Sequence, residues 1–251
     1  MQSSVLANYI LRKYNYSEKI VNILIKIMKN SDCRNLKSCN NNILKSLVSF
    51  SNIRIVLKNK GKDLANHIVK YYENIKNLTF NKENPFFWLQ YAIARLELEH
   101  FTESDIYFKN AYAYAHKLNH FDTYQIDTHF ARFLLEKQLK HGNEEEAYET
   151  FLEAHRLLAN NRNKPENFHY PLRQTKYYYD IYNKYFSIFN DSQKAIFLWC
   201  CHEVLAKIKN YNDSILRLKR RKHPDVNYSE KMIKKIIFEI NKSLNLQYIS
   251  S

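Results

Sequence analysis

The chain has 251 residues, a formal net charge of +14, 45 % hydrophobic residues and only two glycines, enough to bury a sizeable core. Gly61 and Gly142 lie far apart, which argues against α/β nucleotide folds, because a phosphate-cradling loop needs several glycines for its amides to wrap an anion. The charge is uneven: +10 over residues 1–80, −4 over 81–166 and +8 over 167–251, so two basic ends flank an acidic middle.

Taken in chain order, Val5, Leu6, Tyr9 and Ile10, then Ile20, Val21, Leu24, Ile27 and Met28, recur at three- and four-residue spacing and predict two helices within 5–29. A polar stretch, 30–42, is the best linker candidate; apolar segments predict helices over 43–57 and, after Gly61, 62–77. Asn84-Pro85 supplies an N-cap and a proline at the first helical position, predicting a helix to about residue 99. Thr102-x-x-Asp105, Asp122-x-x-Gln125 and Asn190-x-x-Gln193 each place a capping oxygen three residues before an acid or amide. The remaining predicted helices are 102–118, 122–141, 143–158, 168–188, 191–209, 212–221 and 228–244. No segment alternates with period two, so no sheet is expected.

Trp88-x-x-Tyr91-Ala92 followed by Ser104-x-x-x-Phe108-x-x-Ala111 resembles the tetratricopeptide pattern. The small residues 92, 104 and 111 would let two helices approach closely. A second hairpin keeps Gly142 at its turn and Ala147-x-x-x-Phe151-x-x-Ala154 on its second helix, and a third has Ala195-x-x-x-Trp199. The spacings from Ser104 to Ala147 and on to Ala195 are 43 and 48 residues, not the ~34 of the regular repeat. The expected fold is therefore all-α, an irregular tetratricopeptide-like helical-repeat solenoid (an α-α superhelix); plain bundle packing is the alternative. The expected divisions are a basic helical segment at 1–80, hairpins at 81–209 and a basic cap at 210–251.

Longer stretches, Asn84-Pro-Phe-Phe-Trp-Leu-Gln-Tyr-Ala-Ile-Ala-Arg95, Phe121-Asp-Thr-Tyr-Gln-Ile-Asp-Thr-His-Phe-Ala-Arg132, His169-Tyr-Pro-Leu-Arg-Gln174 and Val5-Leu-Ala-Asn-Tyr-Ile-Leu-Arg12, resemble the C-terminal helical region of bacterial signal-transduction ATPases of the STAND type. In that family such regions follow a nucleotide-binding core, sometimes with a sirtuin-like or nuclease effector in front, and are implicated in sensing phage. The ATPase core itself is missing here. The resemblance implies a sensor whose partner is a phage protein or a signalling ATPase or effector.

Four cysteines, Cys33, Cys39, Cys200 and Cys201, show no CxxC spacing, which suggests neither a zinc ribbon nor a disulfide framework and suits a reducing, cytoplasmic setting. No run approaches the ~18 apolar residues of a membrane span and no export signal opens the chain, so no membrane partner is expected. His116-x-x-x-His120, with Asp122, Asp127 and His129 nearby, has metal-ligand spacing, yet helix-end carbonyls are the preferred partners of these imidazoles. No catalytic residues, metal or cofactor are expected.

Two candidate surfaces remain. Tyr124, Gln125, His129, Arg132 and Glu136 form a polar stripe on the first helix of a hairpin, with Arg173, Gln174 and Tyr177 beside it, a mixture suited to a protein or an anionic ligand. Ordinary inter-helix hydrogen bonding is its other reading. The basic run holding Arg217, Lys219, Arg220, Arg221 and Lys222 can neutralise nucleic-acid phosphates or be a solvated helix end.

Overall fold

A computed structural model describes residues 17–33, 41–57, 62–118, 121–159 and 169–249. Of these, 86 % are helical and none is in a strand, so the all-α expectation holds among the described residues. The first predicted helix, around Val5 to Ile10, as well as Gly61, Cys39 and His120, lies outside them. The chain divides into two compact units, 1–123 and 124–251, with the boundary inside the expected hairpin segment 81–209.

The first unit contains α1 (Ser17–Cys33), α2 (Asn41–Val48), α3 (Phe50–Leu57), α4 (Lys62–Ile75), α5 (Thr79–Lys82), α6 (Pro85–Glu97) and α7 (Phe101–Lys117). Val21, Ile25 and Met28 of α1 and Ile68, Tyr71, Tyr72 and Ile75 of α4 are buried, each set at the spacing of one helical face, and the two helices pack together. The segment expected as one helix over 43–57 is divided at Ser49. Here Tyr71 Oη donates to the Leu47 carbonyl at 2.8 Å, Tyr72 Oη to that of Val48 at 2.6 Å, and Phe50 N to Gln90 Oε1 at 3.0 Å. Side chains from α4 and α6 thus tie down the backbone at the junction.

Asn84 caps α6 as the sequence predicts, its Oδ1 accepting from Phe86 N at 3.0 Å with Pro85 following. Ala92, Ser104, Phe108 and Ala111 are fully buried, and Ser104 Oγ donates to the Ala92 carbonyl at 3.0 Å. The small residues do bring α6 and α7 into contact. The Thr102 capping signal is not used: α7 begins at Phe101, which is buried. The α6 end is instead closed by His100 N to Arg95 O and Glu99 N to Leu96 O, both 2.9 Å, with Glu99 at φ 61°. That left-handed position is usually glycine's, and this chain has almost none to place there.

The second unit contains α8 (Tyr124–His141), α9 (Ala147–Ala159), α10 (His169–Gln174), α11 (Tyr177–Tyr185), a 3₁₀ turn (Phe186–Ile188), α12 (Asp191–Arg217) and α13 (Pro224–Ile249). At the α8 to α9 turn, a Cβ on Gly142 would stand 2.2 Å from the buried Gln138 side chain, which donates to the Asn143 carbonyl at 2.6 Å. The helix expected over 168–188 is broken at Thr175, whose buried hydroxyl turns back to the Leu172 carbonyl at 2.7 Å.

The Asn190 and Gln193 capping box is present in both directions. From there α12 runs 27 residues without the break expected at 209–212. Ile208, Tyr211 and Ile215 are buried at helical spacing, so core packing carries the helix through the polar Asn210, Asn212 and Asp213. The third repeat motif is misplaced in register: Ala195 is exposed and Trp199 is 61 % exposed. The core residues of this helix are Phe197, Cys200, Cys201 and Val204.

Candidate functional site

The candidate polar stripe lies in the second unit. Positions 125, 129, 132 and 136 share one face of α8 by helical periodicity, and the structure brings most of the stripe to the junction of α8, α10 and α11. Arg132 Nε donates to Glu136 Oε1 at 2.8 Å, and the Tyr177 hydroxyl donates to that same oxygen. Arg173 Nε donates to Asp225 Oδ2 of α13 at 2.7 Å. Tyr124 is half-buried and Gln125 exposed in the first turn of α8, while Gln174 reaches the Tyr170 carbonyl only at 3.5 Å.

Both arginines are therefore matched by carboxylates of the same chain. The Arg132 pair is mostly buried, so an incoming anion would have to displace Glu136 there, whereas Arg173 and Asp225 are 34 % and 41 % exposed and an anion would share the Arg173 guanidinium with Asp225. His129 is the exception, because its Nδ1 is cut off from water with no hydrogen-bond partner. Burial, with Arg132 and Arg173 nearby, pushes its imidazole down to about 4. An NMR titration should find this ring neutral until about pH 4, and Arg132→Ala should move its midpoint upward. A midpoint near ~6.5 in the intact protein would mean that the ring is solvated.

Sequence reasoning missed a second polar arrangement in this unit. His155 is buried, with Nδ1 2.8 Å from Tyr178 Oη and Nε2 3.1 Å from Glu203 Oε2, while Glu203 also pairs with Lys207 at 2.7 Å. Burial lowers the His155 pKa and outweighs the opposing pull of Glu203. The Trp199 ring stands edge-on to this imidazole, 6.2 Å between centroids. The apolar spacing 197, 200, 201, 204, 208 already leaves 199 outside the buried face.

The first unit holds a third network, also unforeseen. Glu73 of α4 accepts from Tyr91 and, at 3.2 Å each, from Arg95 and Tyr107, while Lys76 pairs with it at 2.6 Å. Burial alone would push the Glu73 carboxyl up, but the bonds from Lys76, Tyr91 and Tyr107 prevail and hold it down at about 2. Tyr91 and Arg95 are the positions where the tetratricopeptide pattern has Leu and Tyr.

Cys200 and Cys201 are fully buried, and burial pushes the Cys200 thiol up to about 12 and that of Cys201 up as well. Such thiols stay protonated and pack as small hydrophobes. His116 lies exposed in the last turn of α7, and no group of three or more potential metal ligands occurs among the described residues. Arg217, Lys219, Arg220, Arg221 and Lys222 are all exposed at the α12 to α13 turn. No family model matches the sequence, and no curated protein or solved structure matches it.

Proposed function

We propose that the chain is a non-catalytic recognition module that binds a protein partner, built from irregular tetratricopeptide-like hairpins. The observation that supports this reading is Trp199, a large aromatic left 61 % exposed on a 27-residue helix whose opposite face is core. Tryptophan is enriched among the few residues that carry most of the binding energy of protein interfaces. The Trp199 ring has His155 edge-on beside it, 6.2 Å between centroids, and its remaining surface is open to a partner. The sensor regions of STAND-type ATPases, which this sequence resembles, suggest the partner's class: a phage protein or a signalling ATPase or effector acting in the cytoplasm.

The polar stripe from Tyr124 to Tyr177 contributes less directly in this reading, since its arginines already hold carboxylates of their own chain.

Trp199→Ala should weaken binding to a phage protein or signalling ATPase that co-purifies with the wild-type chain by ~2 kcal/mol or more, while the melting temperature stays nearly unchanged. Because Trp88 is buried, acrylamide should quench mainly Trp199, and the bound partner should shield it. Unchanged co-purification with a large loss of stability would make Trp199 a packing residue and overturn the reading.

A further inference from the structure

We infer that the C-terminal hairpin, α12 with α13 and the turn between them, docks on an anionic phospholipid surface. Residues 214–224 contain Arg217, Lys219, Arg220, Arg221 and Lys222 and no acidic residue. All five side chains are exposed. Asp213 precedes this run on α12; of the acids that follow it, Asp225 is held by Arg173 at 2.7 Å and Glu230 by Lys234 at 2.6 Å, with Lys222 also acting on Glu230. Among the described residues, Arg217, Lys219, Arg220 and Arg221 form no salt bridge with a carboxylate of α13.

Among these cations stand apolar side chains that the core does not use. Leu216 is 78 % exposed and Leu218 50 %. The turn that presents them is fixed, closed by Arg220 N to Ile215 O at 3.0 Å and Lys219 N to Leu216 O at 3.1 Å, with Lys219 at φ 52°. On α13 the pattern continues. Val226, Ile233, Ile236 and Ile240 face the core, whereas Tyr228, Lys231 and Phe238 lie on the exposed side, Tyr228 at 51 % and Phe238 at 67 % exposure; Lys235 beside them is held by the Tyr179 hydroxyl and Glu239.

This combination selects the partner. Nucleic acid would use the cations and leave Leu216, Leu218 and Phe238 in water, and a solvated helix end gains nothing from exposing them. A bilayer interface takes both, seating leucine and aromatic side chains at the acyl boundary while lysine and arginine stems extend to the headgroups. Such contact needs no spanning helix, and no helix of the described residues is long and apolar enough to cross a membrane. The sequence alone points away from a membrane partner because it shows only the missing span. Which leucines remain uncovered is visible only in the structure.

The test is flotation of the full chain with phosphatidylcholine vesicles, with and without about 30 % phosphatidylserine. Binding should require the anionic lipid and weaken with salt. Each cation near such a surface contributes about fivefold, so Arg220→Glu combined with Arg221→Glu should lower partitioning by at least ~25-fold. Leu216→Ser with Leu218→Ser, and separately Phe238→Ser, should each lower it about tenfold, with circular dichroism melts unchanged because these side chains are outside the core. Trp199→Ala should leave vesicle binding intact, which separates this proposal from partner recognition. Leucine and phenylalanine variants that float like wild type would overturn it. So would tighter binding to a duplex oligonucleotide that is indifferent to the leucines, or self-association in ultracentrifugation that the leucine variants abolish.

Discussion

Phe151→Ala should destabilise the second unit by about 3–5 kcal/mol, the cost of deleting a fully buried phenyl ring and leaving a cavity. The ring is fully buried and meets Phe197 at 4.4 Å and Tyr178 at 4.9 Å between centroids. Phe197 and Tyr178 belong to α12 and α11, so three helices lose contacts at once. Chemical denaturation read by far-ultraviolet circular dichroism measures the loss. The informative contrast is Trp199→Ala, where a larger side chain is removed from the exposed face of the neighbouring helix for a much smaller cost. Equal losses at the two positions would place Trp199 in the core, against the structure.

Arg95→Ala should cost the first unit about 1.5–3 kcal/mol, by removing a buried guanidinium and its charge-assisted hydrogen bonds from a carboxylate that keeps Lys76, Tyr91 and Tyr107. Its side chain is 10 % exposed, pairs with Glu73 at 3.2 Å and accompanies the Tyr91 hydroxyl at 2.8 Å. The acid dependence of this network has a definite sign. The bonds from Lys76, Tyr91 and Tyr107 hold Glu73 at about 2 in the folded chain, below the 4.5 of an unperturbed carboxyl, so its pairing stabilises fully above pH 4.5 and is lost as pH falls toward 2. Because Lys76, Tyr91 and Tyr107 supply that lowering, Arg95→Ala should stay below wild type by a similar margin across this range, whereas Lys76→Ala should converge with wild type in acid. Convergence of Arg95→Ala with wild type in acid would show instead that Arg95 carries the pairing with Glu73.

Two of the local capping signals form as the sequence predicts, Asn84-Pro85 and Asn190-x-x-Gln193, each acting within one turn of the chain, whereas Thr102 caps nothing because its helix begins at the buried Phe101. The spacing of Ala92, Ser104, Phe108 and Ala111 identified a hairpin interface because small residues on two adjacent helices have few other uses. The interruptions were not legible. Ser49 and Thr175 mark breaks stabilised by hydroxyls and amides arriving from other helices or folding back, while the polar Asn210 to Asp213 stretch continues a helix because Tyr211 and Ile215 are buried.

The sites follow the same division. Periodicity placed Arg132 and Glu136 on one face of α8, but it could not say that Tyr177 would cap their pair or that Asp225, 52 residues from Arg173, would take that arginine. The Ala-x-x-x-aromatic spacing at 195 and 199 competes with a second apolar register on the same helix. Phe197 with Cys200, Cys201 and Val204 accounts for more apolar surface, and that surface is what turned inward.

Tyrosine hydroxyls in this protein act as pins. Tyr71 and Tyr72 of α4 reach carbonyls at the end of α2, and Tyr185 of α11 reaches the Gln138 carbonyl of α8 at 2.8 Å. An apolar contact between two helices is nearly indifferent to a small slide or rotation, whereas a hydrogen bond to one carbonyl is lost within an ångström. The helices joined by these bonds thereby gain an index marking where each must stop. Exchanging one buried apolar side chain for another of similar volume changes how tightly such a unit holds; taking away these hydroxyls changes whether its helices still agree on a single alignment.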